Sequence, residues 1–343
     1  MMIMNKPLAT TRTEEKAWVR LLPPLYALLY PFFLAGFHAL QGPGEFHAPG
    51  LAAIALTAAF LTSGLALMWA SCMQEAGEQT SFQLRTRRAA YLAVVAPTAY
   101  VFLGVVLYIL HWPFSDIWVW AAMWLALAAW AGSGSGTVIV QAPTPVPGRL
   151  RVLHGIAAAV LVLYALFHIA NHLFGLVSPE AHAEVMKLGR KVYRAPFVEP
   201  VLVALMLFQI ASGLKLAWRW TALRADAWRT FQIASGLYLS LFILGHMNSV
   251  FVYARTVMKI DTGWDFATGA PTGLIHDAWN IRLVPHYALG VFFVLAHLAS
   301  GLRIVLMAHG MSRVVADRLV TAAIGFSALI SAAILCGMSG VRI

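Results

Sequence analysis

The stretch "LYALFHIANHLFGL", residues 163–176, decides the class of this chain and poses its central question. No Asp, Glu, Lys or Arg interrupts the sequence from Val152 to Leu176. That run exceeds the ~20 apolar residues a helix needs to cross a bilayer core. Yet it carries His168 and His172, four residues apart and therefore on one helix face. An ionisable ring is costly in hydrocarbon, so such a histidine ligates something, relays protons or bonds to a neighbouring helix. The same problem returns at His246 in "LFILGHMN" and His297 in "FVLAHLASGLR".

The whole chain shares the character of that stretch. Of its 343 residues 60% are hydrophobic and 11% charged, where a soluble domain carries about 25% charged residues. The fold class expected is an all-α integral membrane protein with about nine transmembrane helices, near 21–41, 49–72, 89–111, 115–136, 152–177, 197–218, 229–257, 283–308 and 314–339. Breaks fall at "QGPGEFHAPG", "HWPFS", "QAPTPVPGR" and the polar links 178–196 and 258–282. Residues 1–20 read as a polar, basic tail rather than a removable signal, because a full-length span follows. The two cysteines, Cys72 and Cys336, make no Cys-x-x-Cys-His motif, which argues against covalently attached haem.

Charge orients the chain. Alternating spans put 16 of the 24 Lys and Arg residues on the side of the N-terminus. The positive-inside rule then places the N-terminus in the cytoplasm and the C-terminus outside, in what reads as a bacterial cytoplasmic membrane. The formal charge of +10 is a matter of topology and does not call for nucleic acid. A basic inner face also suits anionic lipid or an acidic partner.

A short repeat hints at duplication. "FQIASGL" occurs at 208–214 and again at 231–237, with "ASGL" at 299–302 and "TSGL" at 62–65. "AGFHAL" in the first span parallels "ALFHIA" in the fifth, and Tyr100 parallels Tyr238. The pattern suggests a four-helix unit, 21–140, followed by a five-helix domain, 150–339. Small residues of this kind let helices, or a flat cofactor, approach closely.

Helical rise sorts the histidines by depth. His168 lies 17 residues beyond Arg151, and His246 lies 17 beyond Arg229. At 1.5 Å per residue both stand ~25 Å above the inner edge. His297 and Gln209 each stand six residues from an inner cation, Arg303 and Lys215, at ~9 Å. His154 is three residues from Arg151 and reads as too shallow to join them. An outer pair of neutral imidazoles on facing helices is a pattern that holds haem iron. The matching N-terminal positions are His38, Phe60, Tyr108 and Trp130, a set with one iron ligand at most.

With the histidines in this order, residues 150–339 resemble the five-helix cytochrome b membrane anchor of succinate dehydrogenases and fumarate reductases, of the type with two haems in one subunit. The resemblance rests on "LFHIANH", "LFQIASG", "LGHMNS", "LAHLASG" and "VEPVL", and on their order. It implies haem b, an outer haem held by the first and third of the five helices, and an inner one held by the second and fourth. Those positions here are His168 and His246, then Gln209 and His297. Glutamine is not an expected haem ligand, so one haem is expected and the second is in doubt. The resemblance further implies quinone as substrate and flavoprotein and iron–sulfur subunits on the cytoplasmic face. No dinucleotide fingerprint or cysteine set in this chain could supply those centres itself.

Several residues keep two readings. His172 and His286 reach the outer level and serve either as substitute ligands or as contacts to haem propionates or quinone. His297 is a haem ligand with another partner, or a histidine bonded to Gln209. Glu199 is a proton carrier for quinone or a wet boundary residue. Arg190, Lys191 and Arg194 pair with propionates or form a solvated basic loop. The function expected is electron relay between quinone and a soluble partner; the alternative is a non-redox anchor, lipid-binding scaffold or carrier derived from the same fold.

Overall fold

The computed structural model describes residues 17–41, 47–74, 79–139 and 148–343. Most of the tail expected at 1–20, with Lys6, Arg12 and Lys16, lies outside the described residues, as do residues 140–147 of the "QAPTPVPGR" break. Among the described residues fourteen α-helices carry the fold. The first half holds α1 (Leu22–Leu28), α2 (Tyr30–Gln41), α3 (Pro49–Cys72), α4 (Ser81–Val94), α5 (Ala96–Ile109) and α6 (Asp116–Gly132). The second holds α7 (Gly148–Leu173), α8 (Pro179–Tyr193), α9 (Val198–Trp220), α10 (Ala227–Met247), α11 (Trp264–Thr268), α12 (Gly273–His276), α13 (Leu283–Ala308) and α14 (Arg313–Met338). A π-helical segment, Asn248–Met258, prolongs α10 until Lys259 turns the backbone left-handed at φ 55°.

Among the described residues six helices are long and apolar enough to cross a membrane, or eight if two bent pairs count as one span each. With the shorter apolar helix α6 these make the nine apolar segments expected from the sequence. The bends have a sequence cause. α1 and α2 meet at 45°, just before Pro31, and α4 and α5 at 69°, just before Pro97. Proline lacks the amide that would bond one turn back, and its ring crowds the preceding backbone. The third span therefore starts at Ser81 rather than 89, capped by a reciprocal Thr80–Gln83 box. The fourth, α6, has 17 residues, short of the ~20 a perpendicular crossing needs.

Consecutive helices pack beside one another in both halves. In the first, α2 lies on α3, α3 on α4, α4 on α6, and α1 closes on α6. In the second, α7 lies on α9, α9 on α10, α10 on α13 and α13 on α14, which returns to α7. α7 and α10 therefore occupy opposite corners, as do α9 and α13. The helix end that carries most of the basic residues is termed the basic end below, and the other the far end.

The halves are bolted together at both ends. At the basic end Arg87 is fully buried and donates to the Thr221 carbonyl at 2.8 and 3.1 Å and to Gln79 Oε1 at 2.6 Å. At the far end Arg282 meets Asp116 at 2.5 Å, and its guanidinium lies 4.4 Å from the centre of the Tyr100 ring. Tyr100 donates to the same Asp116 at 3.0 Å. Gly104 makes room, since a Cβ there would stand 2.6 Å from Arg282 Nη1. Between these ties Tyr30, Tyr100, Trp120 and Trp124 form a dry aromatic cluster.

Candidate functional site

The second half encloses two polar layers in an apolar bundle. At the far level His168 of α7 and His246 of α10 face each other from opposite corners, their ring centroids 5.9 Å apart. Tyr164 lies nearly parallel to His168 at 5.7 Å, and Phe242 nearly parallel to His246 at 6.1 Å. His172 stands edge-on to His168 at 4.8 Å, as a one-turn spacing requires. Beyond it His182 of α8 lies 5.1 Å away and packs in turn, tilted by 55°, on Trp264 at 4.7 Å. His286 of α13 reaches the same layer through Phe242, at 4.7 Å.

These rings pair rather than converge. Among the described residues no three His, Cys, Asp or Glu side chains are grouped to hold a metal ion. The far pair does suit a group that takes two axial imidazoles. Metal–imidazole bonds of about 2.0–2.1 Å, with each ring centre about 1.2 Å beyond its nitrogen, call for centroids roughly 6.5 Å apart. The observed 5.9 Å is about 0.6 Å short of that, so the rings would part slightly to take a metal between them. Buried polar atoms without hydrogen bonds also collect at this level: His172 Nδ1, Asn171 Oδ1, Asn248 Nδ2 and His286 Nδ1. Unpaired buried polar atoms normally find a partner, and a ligand with polar edges would supply one. The π-helical turns after His246 bring Asn248 into this set, and π segments often mark functional sites.

His182 differs from the others in lying outside the spans. Burial, with the Arg190 charge adding to it, pushes its pKa down to about 4, so the ring is neutral at physiological pH. Asn171 Nδ2 stands 3.2 Å from its Nε2.

The secondary candidates have other contacts. Arg190 bonds Thr262 and pairs with Asp261 at 3.2 Å, and Arg194 donates to Thr262 Oγ1 at 2.8 Å. They tie α8 to the loop before α11, while Lys191 is exposed. Glu199 receives both Arg255 guanidinium nitrogens, at 2.6 and 3.3 Å.

At the basic level one expectation fails. Gln209 and His297 do not bond to each other, because α9 and α13 sit at opposite corners. Gln209 Nε2 donates instead to the His154 carbonyl at 3.0 Å. His297 Nδ1 meets Ser235 Oγ at 2.8 Å, and His154 Nδ1 meets Ser212 Oγ at 2.7 Å. Ser212 and Ser235 are the same position in the two copies of "FQIASGL". The sequence reading missed His154 by taking Arg151 as a fixed depth mark. Arg151 is exposed and free to extend away from the bilayer core, whereas Arg303 is buried against Asp317.

Fold and composition together define an all-helical integral membrane protein with a histidine-rich second half. The chain matches no protein family, no curated protein and no solved structure.

Proposed function

We propose that this protein is a haem b electron-transfer subunit of a bacterial cytoplasmic membrane, relaying electrons between a quinone and a soluble redox partner. His168 and His246 are the residues that would hold the haem iron through their ring nitrogens. The observation that carries this reading is their approach from opposite corners of one bundle at a spacing suited to two axial imidazoles. A haem held by two imidazoles supplies one-electron transfer. The chain's own residues hold the rest of the site. Tyr164 and Phe242 restrict the rotation of the two ligand rings by packing flat against them. His172, His286, Asn171 and Asn248 offer polar atoms to the edges of the bound group. Glu199 is ion-paired to Arg255 at the far end, beside the level of the proposed site.

Positive-inside orientation puts the basic end in the cytoplasm, where a flavin or iron–sulfur partner with an acidic face would dock. The test is a dithionite-reduced minus oxidised spectrum of the purified protein with a pyridine haemochrome assay. A low-spin b-type signal that disappears from the far site in His246→Ala supports the proposal. Absence of haem in the native protein overturns it and leaves a membrane scaffold or carrier. A spectrum unchanged in His246→Ala refutes the ligand assignment.

A further inference from the structure

The link from α7 to α9 does not lie over the far face as a loop. Its helix, α8, turns back along α7. His182, near its start, lies 5.1 Å from His172, and Tyr193, at its end, lies 5.5 Å from Tyr164, centroid to centroid. Between them Gly189 takes the Phe167 ring against its backbone, where a Cβ would overlap that ring. The contacts step down α7 as α8 advances. From His172 to Tyr164 is eight residues, a descent of ~12 Å. His172 stands 21 residues beyond Arg151, Tyr164 stands 13 beyond it, and Phe197 stands 18 before Lys215. Their heights above the basic edge are ~32, ~20 and ~27 Å. In a core of ~30 Å, α8 starts at the margin and ends inside.

The side chains of α8 divide to match. At 3.6 residues per turn, the buried His182 and Gly189 share a face with the half-buried Met186 and Tyr193, turned to the bundle. Ala183, Glu184, Lys187 and Lys191 are exposed on a second arc. Leu188 and Val192 form a third, 64% and 66% exposed, and Phe197 follows at 80%. A helix surrounded by protein and water has no use for that third arc. A helix lying between protein, water and hydrocarbon needs all three. The arginines agree with this orientation. Arg190 and Arg194 reach Asp261 and Thr262 from the flank turned away from Leu188 and Val192.

We propose that α8 is a membrane-dipping helix of the far leaflet, with Leu188, Val192 and Phe197 among phospholipid acyl chains. Lys187 and Lys191 run their apolar stems along the same boundary and carry their ammonium groups out to the headgroup phosphates. The occupant of the third arc is lipid because the arc continues the lipid-facing surface of the neighbouring spans, where Leu163 and Leu166 of α7 and Val201 of α9 are exposed. The inference stands apart from what the bundle binds, since no histidine chemistry enters it.

The experiment uses the full chain in nanodiscs of phosphatidylethanolamine and phosphatidylglycerol. Cys72→Ser and Cys336→Ser remove the two native thiols. One of Glu184→Cys, Lys187→Cys, Leu188→Cys or Val192→Cys then carries a bimane label. All four positions are exposed, so the label leaves the packed face of α8 in place. Phospholipid with a nitroxide on its acyl chain is expected to quench the label at 188 and 192 several-fold more than at 184 and 187. Aqueous iodide is expected to give the reverse order. Phe197→Cys replaces either apolar position if that variant fails to assemble. Iodide that reaches all four positions equally overturns the proposal and makes α8 a helix of the watery face. Protection of 188 and 192 from both quenchers also overturns it, in favour of a protein cover. Cross-linking between chains at those positions would identify that cover as a second copy of this chain.

Discussion

The two halves of this molecule pack their helices in the same order but fill the interior differently. In the first half Tyr30, Tyr100, Trp120 and Trp124 meet ring against ring, and Trp120 donates to the Ala27 carbonyl at 3.0 Å. In the second half the interior positions hold histidines with unbonded nitrogens. Tyr30 Oη and Trp124 Nε1 of that cluster also lack hydrogen bonds, so the contrast lies in ring type: the first half fills its interior with packed aromatic rings. An imidazole buried among apolar helices is a functional candidate by default. The small-residue motif shows a further contrast. Gly64 of "TSGL" and Gly301 of the last "ASGL" have nothing within 4 Å of their Cβ positions, while Gly236 lies under His297 and Gly213 under His154, so the contrast belongs to the two "FQIASGL" copies.

The comparison can be broken most forcefully at the joint between the halves. Arg282→Ala leaves the half-buried Asp116 without its cation, with only the Tyr100 hydroxyl still bonded to it. Breaking an ion pair of that kind costs about 3 kcal/mol or more, so thermal unfolding in detergent should fall by many degrees. Gly104→Ala, which pushes the same guanidinium away, should move it in the same direction. If Arg282→Ala is neutral, the halves are not held by this pair.

A sharper test compares two glycines. Gly236→Ala should displace the His297 ring and lower the unfolding temperature, because a 3.1 Å contact is too close for its neighbour to stay in place. Gly64→Ala enters open space and should leave stability within about 0.5 kcal/mol. Equal effects would mean that the motif only packs helices in both halves.

The smallest effect expected is a pH dependence at the far end. Folding lowers the His182 pKa to about 4, against about 6.5 in an unfolded chain. The unfolded chain therefore takes up the proton first. The contribution to stability is complete above pH 6.5 and is lost as the pH falls toward 4. His172 from α7, Arg190 from α8 and Trp264 from α11 face the ring, and none of them is a carboxylate that would offset the loss. His182→Asn should flatten the unfolding temperature across that interval; an unchanged slope would assign the dependence to another group.

Hydropathy and helical rise, read from the chain alone, give the spans and the levels of the histidines. Hydropathy located the membrane helices, because a bilayer demands long runs without charge. Helical rise put His168 and His246 at one level, and the structure sets their rings 5.9 Å apart. Even the bends were written in Pro31 and Pro97, though the reading took each span as straight. Only the tertiary structure decided which groups meet across helices. Asp116 and Arg282 are 166 positions apart, and no local periodicity links them. The pairing of Ser212 with His154 and Ser235 with His297 depends on which corner of the bundle each helix takes, and on how far a snorkelling arginine extends. Depth follows from counting residues along one helix, but azimuth and partner follow only from packing several helices at once.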